Sequence, residues 1–114
     1  DLGKNNLSSL PNLNIRRFKL EGLNLDENNF TVVPTTVLSK MKNLRILYMM
    51  DNNIQEINES WIHENLRTLE LDRNEIKKFP RLMMPRLNKL SLRDNKIEEI
   101  PENALKNTKM LEML

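Results

Sequence analysis

Asparagine recurs in this chain at a spacing that no single helix or strand produces. Asn5, Asn28, Asn52, Asn74 and Asn95 are separated by 23, 24, 22 and 21 residues, and around each of them apolar residues fall in one order. Leu66, Leu69, Leu71, Asn74, Ile76, Phe79 and Pro80 form the fullest copy. Its apolar steps of three, two, five and three fit neither the helical nor the alternating strand period. The same order returns at Leu20, Leu23, Leu25, Asn28, Phe30, Val33 and Pro34, at Leu44, Leu47, Met49, Asn52, Ile54 and Ile57, and at Leu87, Leu90, Leu92, Asn95, Ile97, Ile100 and Pro101. Half copies stand at Leu2, Asn5, Leu7, Leu10 and Pro11, and at Leu111 with Leu114. A chain that repeats itself at this period folds as a stack of like units, each burying its apolar side against its neighbours.

Each copy reads as one coil of a solenoid. Leu69 and Leu71 point one way and Thr68, Glu70 and Asp72 the other, as in a short strand with one buried face. Coils stacked about 4.8 Å apart join these strands into a parallel sheet. The chain then turns away and comes back within one period. At the turn the asparagine amide is expected to satisfy backbone groups of its own coil and the next. The later apolar positions, Ile76 and Phe79 in the fullest copy, fill the coil interior, and Pro80 suits an extended return that needs no ladder bond through its nitrogen.

The copies resemble leucine-rich repeats of the pattern LxxLxLxxNxLxxLP, over nearly all of residues 2–114. Copies containing "VPTTVLSKMKNL" (33–44) and "IPENALKNTKML" (100–111) are similar to the type common in extracellular arrays. Mixed repeat lengths of 21, 22 and 24 resemble the small leucine-rich proteoglycans, with Toll-like and Slit-like ectodomains close behind. Asn58 departs from the pattern where the second full copy should carry proline, and the short coils at 58–65 and 80–86 reshape the convex side. The resemblance implies an α/β fold: a leucine-rich-repeat solenoid curved as a horseshoe, with a parallel β-sheet on the concave face and short helical or irregular convex segments. The expected division is one repeat domain over 1–114, with a partial repeat at 1–19, repeats at 20–43, 44–65, 66–86 and 87–110, and a partial repeat at 111–114. Because residue 1 opens inside the pattern, the chain is expected to be a piece of a longer array.

Composition narrows the function. Lysine and arginine alternate with aspartate and glutamate along most of the chain, so a net charge of +2 carries no clustered basic run of the kind nucleic acid requires. No apolar stretch approaches the roughly 20 residues of a membrane helix. There is no cysteine nucleophile, and the single His63 lies in the return segment "SWIHEN" without a recognisable partner, so it reads as a surface histidine. Zinc-ligand spacing and a glycine-rich phosphate loop are both missing, and neither a cofactor nor a metal is expected. Trp61 shares the phase of Val37 and Ala104 and is expected in the core.

The expected function, following the resemblance, is non-enzymatic recognition of a protein ligand, from the matrix or from signalling, by a secreted or cell-surface protein. An intracellular repeat scaffold is the alternative. The exposed strand positions identify the contact surface. One strand breaks the polar rule: Ile46, Tyr48 and Met50 are expected to stand side by side in water, bordered by Asp26, Asp51, Glu70 and Asp72, with Arg93 turning the far end basic. This places a protein ligand with basic or mixed charge across the face, and a homodimer through the same face is also open. Asn6, Asn29 and Asn58 each begin an Asn-x-Ser/Thr triplet, the acceptor for N-linked sugar in a secreted protein. Asn6 and Asn29 directly follow ladder asparagines, where a side chain should reach solvent.

Overall fold

The computed structural model describes residues 1, 3–10, 19–57, 60–101 and 112–113. Along the chain run β1 (Gly22–Asn24), α1 (Thr35–Ser39), β2 (Ile46–Tyr48), β3 (Trp61–Ile62), β4 (Thr68–Glu70), β5 (Leu82–Met83), β6 (Lys89–Ser91) and β7 (Glu112–Met113). β1, β2, β4, β6 and β7 form one sheet in that order, while β3 and β5 form a second. Every pairing is parallel. Leu23, Leu47, Leu69 and Leu90 lie in one register row, so residues one repeat apart in sequence become neighbours. No helix among the described residues is long and apolar enough to cross a membrane.

The core follows from the template. Leu25, Leu44, Leu47, Met49, Ile54, Leu66, Leu69, Leu71, Ile76 and Leu90 are fully shielded. Burying one such side chain stabilises the fold by about 1.5–3 kcal/mol. Apolar contact alone leaves the turn after each strand full of unpaired peptide groups, and the asparagines resolve this. Asn74 Oδ1 accepts the Ile54 N–H at 3.1 Å, while its amide donates to Met49 O at 2.9 Å and Leu71 O at 3.0 Å. Asn52 repeats the arrangement one coil earlier, from Phe30 N–H (3.1 Å) and to Leu25 O (3.0 Å), and Asn95 one coil later, from Ile76 N–H (3.0 Å) and to Leu71 O (2.9 Å). Asn28 Oδ1 accepts from both Asn5 and Leu7. The cross-coil bonds therefore run to the preceding coil, not to the next one as the sequence suggested. The template direction explains it: the asparagine side chain points inward just after its strand, beside the turn already laid down. Asn5 keeps the phase but is exposed, and its amide reaches Gly3 O at 3.0 Å within its own turn.

The backbone bends sharply to aim these amides. Lys4, Glu27, Asp51, Arg73 and Asp94, each directly before a ladder asparagine, have φ between 54° and 59°. None of them is glycine, so each costs about 1 kcal/mol of left-handed strain.

The return segments differ from the helical or irregular expectation where repeats are short. Sixteen positions separate Asn28 from Leu44, enough for the single helical turn of α1, which buries Leu38. Only fourteen separate Asn52 from Leu66 and thirteen separate Asn74 from Leu87. An extended residue advances about 3.3 Å against 1.5 Å in a helix, so the shorter returns cross as strands. β3 and β5 pair through Trp61 N–H to Arg81 O (2.9 Å) and His63 N–H to Met83 O (3.2 Å). Between these two coils both walls of the stack have strand spacing. Trp61 is buried as expected, although its indole N–H meets no acceptor among the described residues.

His63 corrects the surface reading. Alternation through β3 and the residue that follows it turns Trp61 and His63 inward and Ile62 outward, leaving His63 only 5% exposed. Its Nδ1 accepts the N–H groups of Asn65 (3.2 Å) and Leu66 (3.1 Å), so the proton lies on Nε2, which donates to Met41 O at 3.0 Å. The ring thus ties the end of one return to the start of the next strand. Burial holds its pKa below the usual histidine value; Lys42 acts in the same direction, against the Met41 carbonyl and Glu64.

Asn74→Ala leaves buried donors and acceptors unmatched and is expected to lower unfolding stability by about 3 kcal/mol, against under about 1 kcal/mol for exposed Asn5→Ala. Urea titration reads both, and equal small losses would remove the ladder as a source of stability. For His63, the unfolded state binds more protons than the folded state at acid pH, so its contribution is complete above about pH 6.5 and is lost as pH falls toward the lower folded value. The stability difference between the unaltered chain and His63→Gln should shrink between about pH 7.5 and about pH 5. A constant difference would contradict the buried neutral ring.

Candidate ligand-binding face

Parallel register turns the outer face of the sheet into a grid. One row is Gly22, Ile46, Thr68 and Lys89, and the next is Asn24, Tyr48, Glu70 and Ser91. Past the strand ends the ladder continues through Glu27 N–H to Met50 O (2.9 Å), Asp51 N–H to Asp72 O (3.0 Å) and Arg73 N–H to Arg93 O (2.8 Å). This extends the grid by Asp26, Met50, Asp72 and Arg93, then by Glu27, Asp51, Arg73 and Asp94.

Ile46, Tyr48 and Met50 do fall along one line of this grid, but they are not equally open. Ile46 is 39% exposed. Its neighbour Gly22 has no side chain, and a Cβ there would meet nothing within 4 Å, so the face is notched beside Ile46. Tyr48 and Met50 are half-buried. The Arg73 guanidinium lies across the row, with Nη2 4.0 Å from Met50 Sδ, while it grips Asp51 through Nε (2.7 Å) and Nη2 (2.9 Å). The stripe is a sheltered trough with one open end at Ile46.

The acidic border changes most. Asp72, expected on the exposed rim, is 8% exposed. Its Oδ1 accepts from Ser91 Oγ at 2.5 Å and from Arg93 N–H at 2.9 Å, so it joins two coils and presents little surface to a ligand. Asp26 makes the equivalent bond to Met50 N–H at 2.7 Å but stays half-buried. Asp51 is paired with Arg73, whose hydrogen bonds hold its pKa below the carboxylate range. Glu70 is paired with Lys89 Nζ at 2.5 Å, and that bond raises the lysine pKa. Burial raises the Asp26 pKa, opposed by the Met50 N–H and reinforced by Asp51, Glu70 and Glu27. Asp26 therefore has no cation partner among the described residues and stands beside Asp51, Glu70 and Glu27, each of which has one. Arg93 stands exposed at the other end.

Sequence reading missed the Arg73 cover and the Gly22 notch. The signal for the first is the separation of 22 positions between Asp51 and Arg73, one repeat, which makes them register neighbours. Asn6 and Asn29 are both exposed, and Asn29 N–H donates to Leu7 O at 2.7 Å, so the two triplets occupy adjacent coils on one edge. Asn58 lies outside the described residues.

Comparison with known proteins identifies the repeat. Residues 18–76 match the family described as Leucine rich repeat, and residues 86–108 match a second family of the same description. Fibromodulin of Sus scrofa is 32% identical over 111 residues, an overlap of 96% of this chain and 74% of that relative. Keratocan of Homo sapiens is 30% identical over 88 residues, covering 75% of this chain and 25% of that protein. Receptor-like protein 9a of Arabidopsis thaliana is 36% identical over 93 residues, which is 76% of this chain and 10% of the plant protein.

Proposed function

The chain belongs to the leucine-rich repeat family, of the extracellular type, and on that premise we propose that it is a protein-recognition module that takes a protein ligand on the outer face of its five-stranded sheet. The observation that carries this is the trough of Ile46, Tyr48 and Met50, an apolar line on an otherwise polar grid, open at the Gly22 notch. Interface centres favour tyrosine and methionine, sheltered by a polar rim that excludes water. Tyr48 is the anchor. The half-buried Asp26 adds a preference: a lysine or arginine of the partner placed there offsets the repulsion that Asp51, Glu70 and Glu27 exert on its carboxylate. Arg93, at the opposite end, gives an extended ligand a direction. Asn6 and Asn29 carry N-linked sugar in this reading, on an edge of the stack that leaves the trough free.

The test uses the full chain secreted from animal cells. It is first mapped by peptide mass for sugar at Asn6 and Asn29, then screened against an array of secreted and cell-surface proteins. A partner of this face should lose about tenfold or more in affinity with Tyr48→Ala, about 1.4 kcal/mol, and little with Ile62→Ala on the opposite wall. Binding that survives Tyr48→Ala and fails with Ile62→Ala would move the site to the other side of the stack.

A further inference from the structure

We infer that the edge of the stack where the main strands begin binds a linear sulfated polysaccharide. In sequence the charges are interspersed; the fold sorts them. Arg45 and Arg67 directly precede β2 and β4 and are joined across coils by Arg67 N–H to Arg45 O at 2.8 Å. Beside them a second row is fixed by side chains: Asn65 Nδ2 donates to Lys42 O at 2.6 Å, and Arg86 Nη1 donates to Asn65 Oδ1 at 3.0 Å. Lys42, Arg45, Arg67 and Arg86 thereby line one edge over successive coils, and all four are exposed.

These cations form no ion pair among the described residues. The ion pairs among the described residues join Lys4 to Glu27, Arg73 to Asp51, Lys89 to Glu70 and Lys96 to Glu75, none of which uses this row. Two acids lie along this edge: Glu21 is the register neighbour of Arg45, whose N–H its carbonyl accepts at 2.8 Å, and Glu64 precedes Asn65. Arg45 and Arg67 stand on adjacent coils about 4.8 Å apart, with Lys42 and Arg86 beside them two coils apart, and cations set along the stack in this way fit a polymer with permanent anions along one line. Arginine suits sulfate as it does phosphate, through a planar fork of donors. Nucleic acid fits less well, because single-strand recognition stacks bases on aromatic rings and none of the described aromatics is at this edge: Phe30, Trp61 and Phe79 are buried and Tyr48 lies in the trough. The edge borders the Ile46 end of the protein-binding face without sharing its residues, so the two proposals fail independently.

The experiment measures the full chain on an immobilised heparin oligosaccharide across a salt series, with Arg45→Gln/Arg67→Gln and, as a charge-matched control on another edge, Lys77→Gln/Lys78→Gln. Both doubles alter exposed side chains and are first shown to melt with the unaltered chain. The first double should lose about tenfold in affinity, and its slope of log affinity against log salt should fall by about two; the control should stay within about twofold. Equal losses in both doubles would mean bulk charge alone, and absence of binding at near-physiological salt would mean no site. A duplex DNA of matched charge that binds as tightly and responds alike would overturn the sulfated-polysaccharide assignment.

Discussion

A ladder asparagine carries an acceptor and two donor hydrogens into a turn where peptide groups of two coils have left their strands. Asn52, Asn74 and Asn95 each take an N–H from the preceding coil and return bonds to carbonyls of that coil and their own. No apolar residue can replace this, and aspartate lacks the donors. Because the bonds cross from coil to coil, they fix the register that the leucines alone leave free to slip. The cost is a left-handed residue before each asparagine, repaid by matched hydrogen bonds in a buried turn.

Register decides everything about the surface. It places Gly22 beside Ile46, Lys89 within reach of Glu70, and Arg73 over Asp51 and Met50, contacts between residues about one repeat apart. It also sorts the charges that the chain interleaves, leaving a sheltered apolar trough on the face, Asp26 beside three acids that already have cation partners, and at the strand-entry edge cations that form no ion pair among the described residues. A recognition module needs such differentiated surfaces on a rigid support, and a stack in which each coil clamps its neighbour supplies them.

The repeat, the parallel sheet, the core leucines and the asparagine phase were legible because they depend on side-chain chemistry that recurs along the chain. Tyr48 and Ile46 were legible too, as apolar residues at outward positions. Three things were not. His63 looked like a surface residue because its burial depends on β3 pairing with β5, and that pairing depends on returns too short for a helix. Asp72 and Asp26 occupy the same phase, yet only Asp72 is sealed in: the next coil offers it Ser91 Oγ and a backbone N–H, whereas Asp26 finds a backbone N–H alone. The left-handed turn positions carried no glycine to announce them.

The central claim is that asparagine oxygens, not water, hold the turn amides between coils. Hydrogen exchange followed by NMR reads this at the N–H groups of Phe30, Ile54 and Ile76, which lie outside the strands and bond to Asn52, Asn74 and Asn95. The account predicts protection comparable to that of the strand amides of Leu47 and Leu69. Exchange of these three at the rate of open turn amides would contradict it.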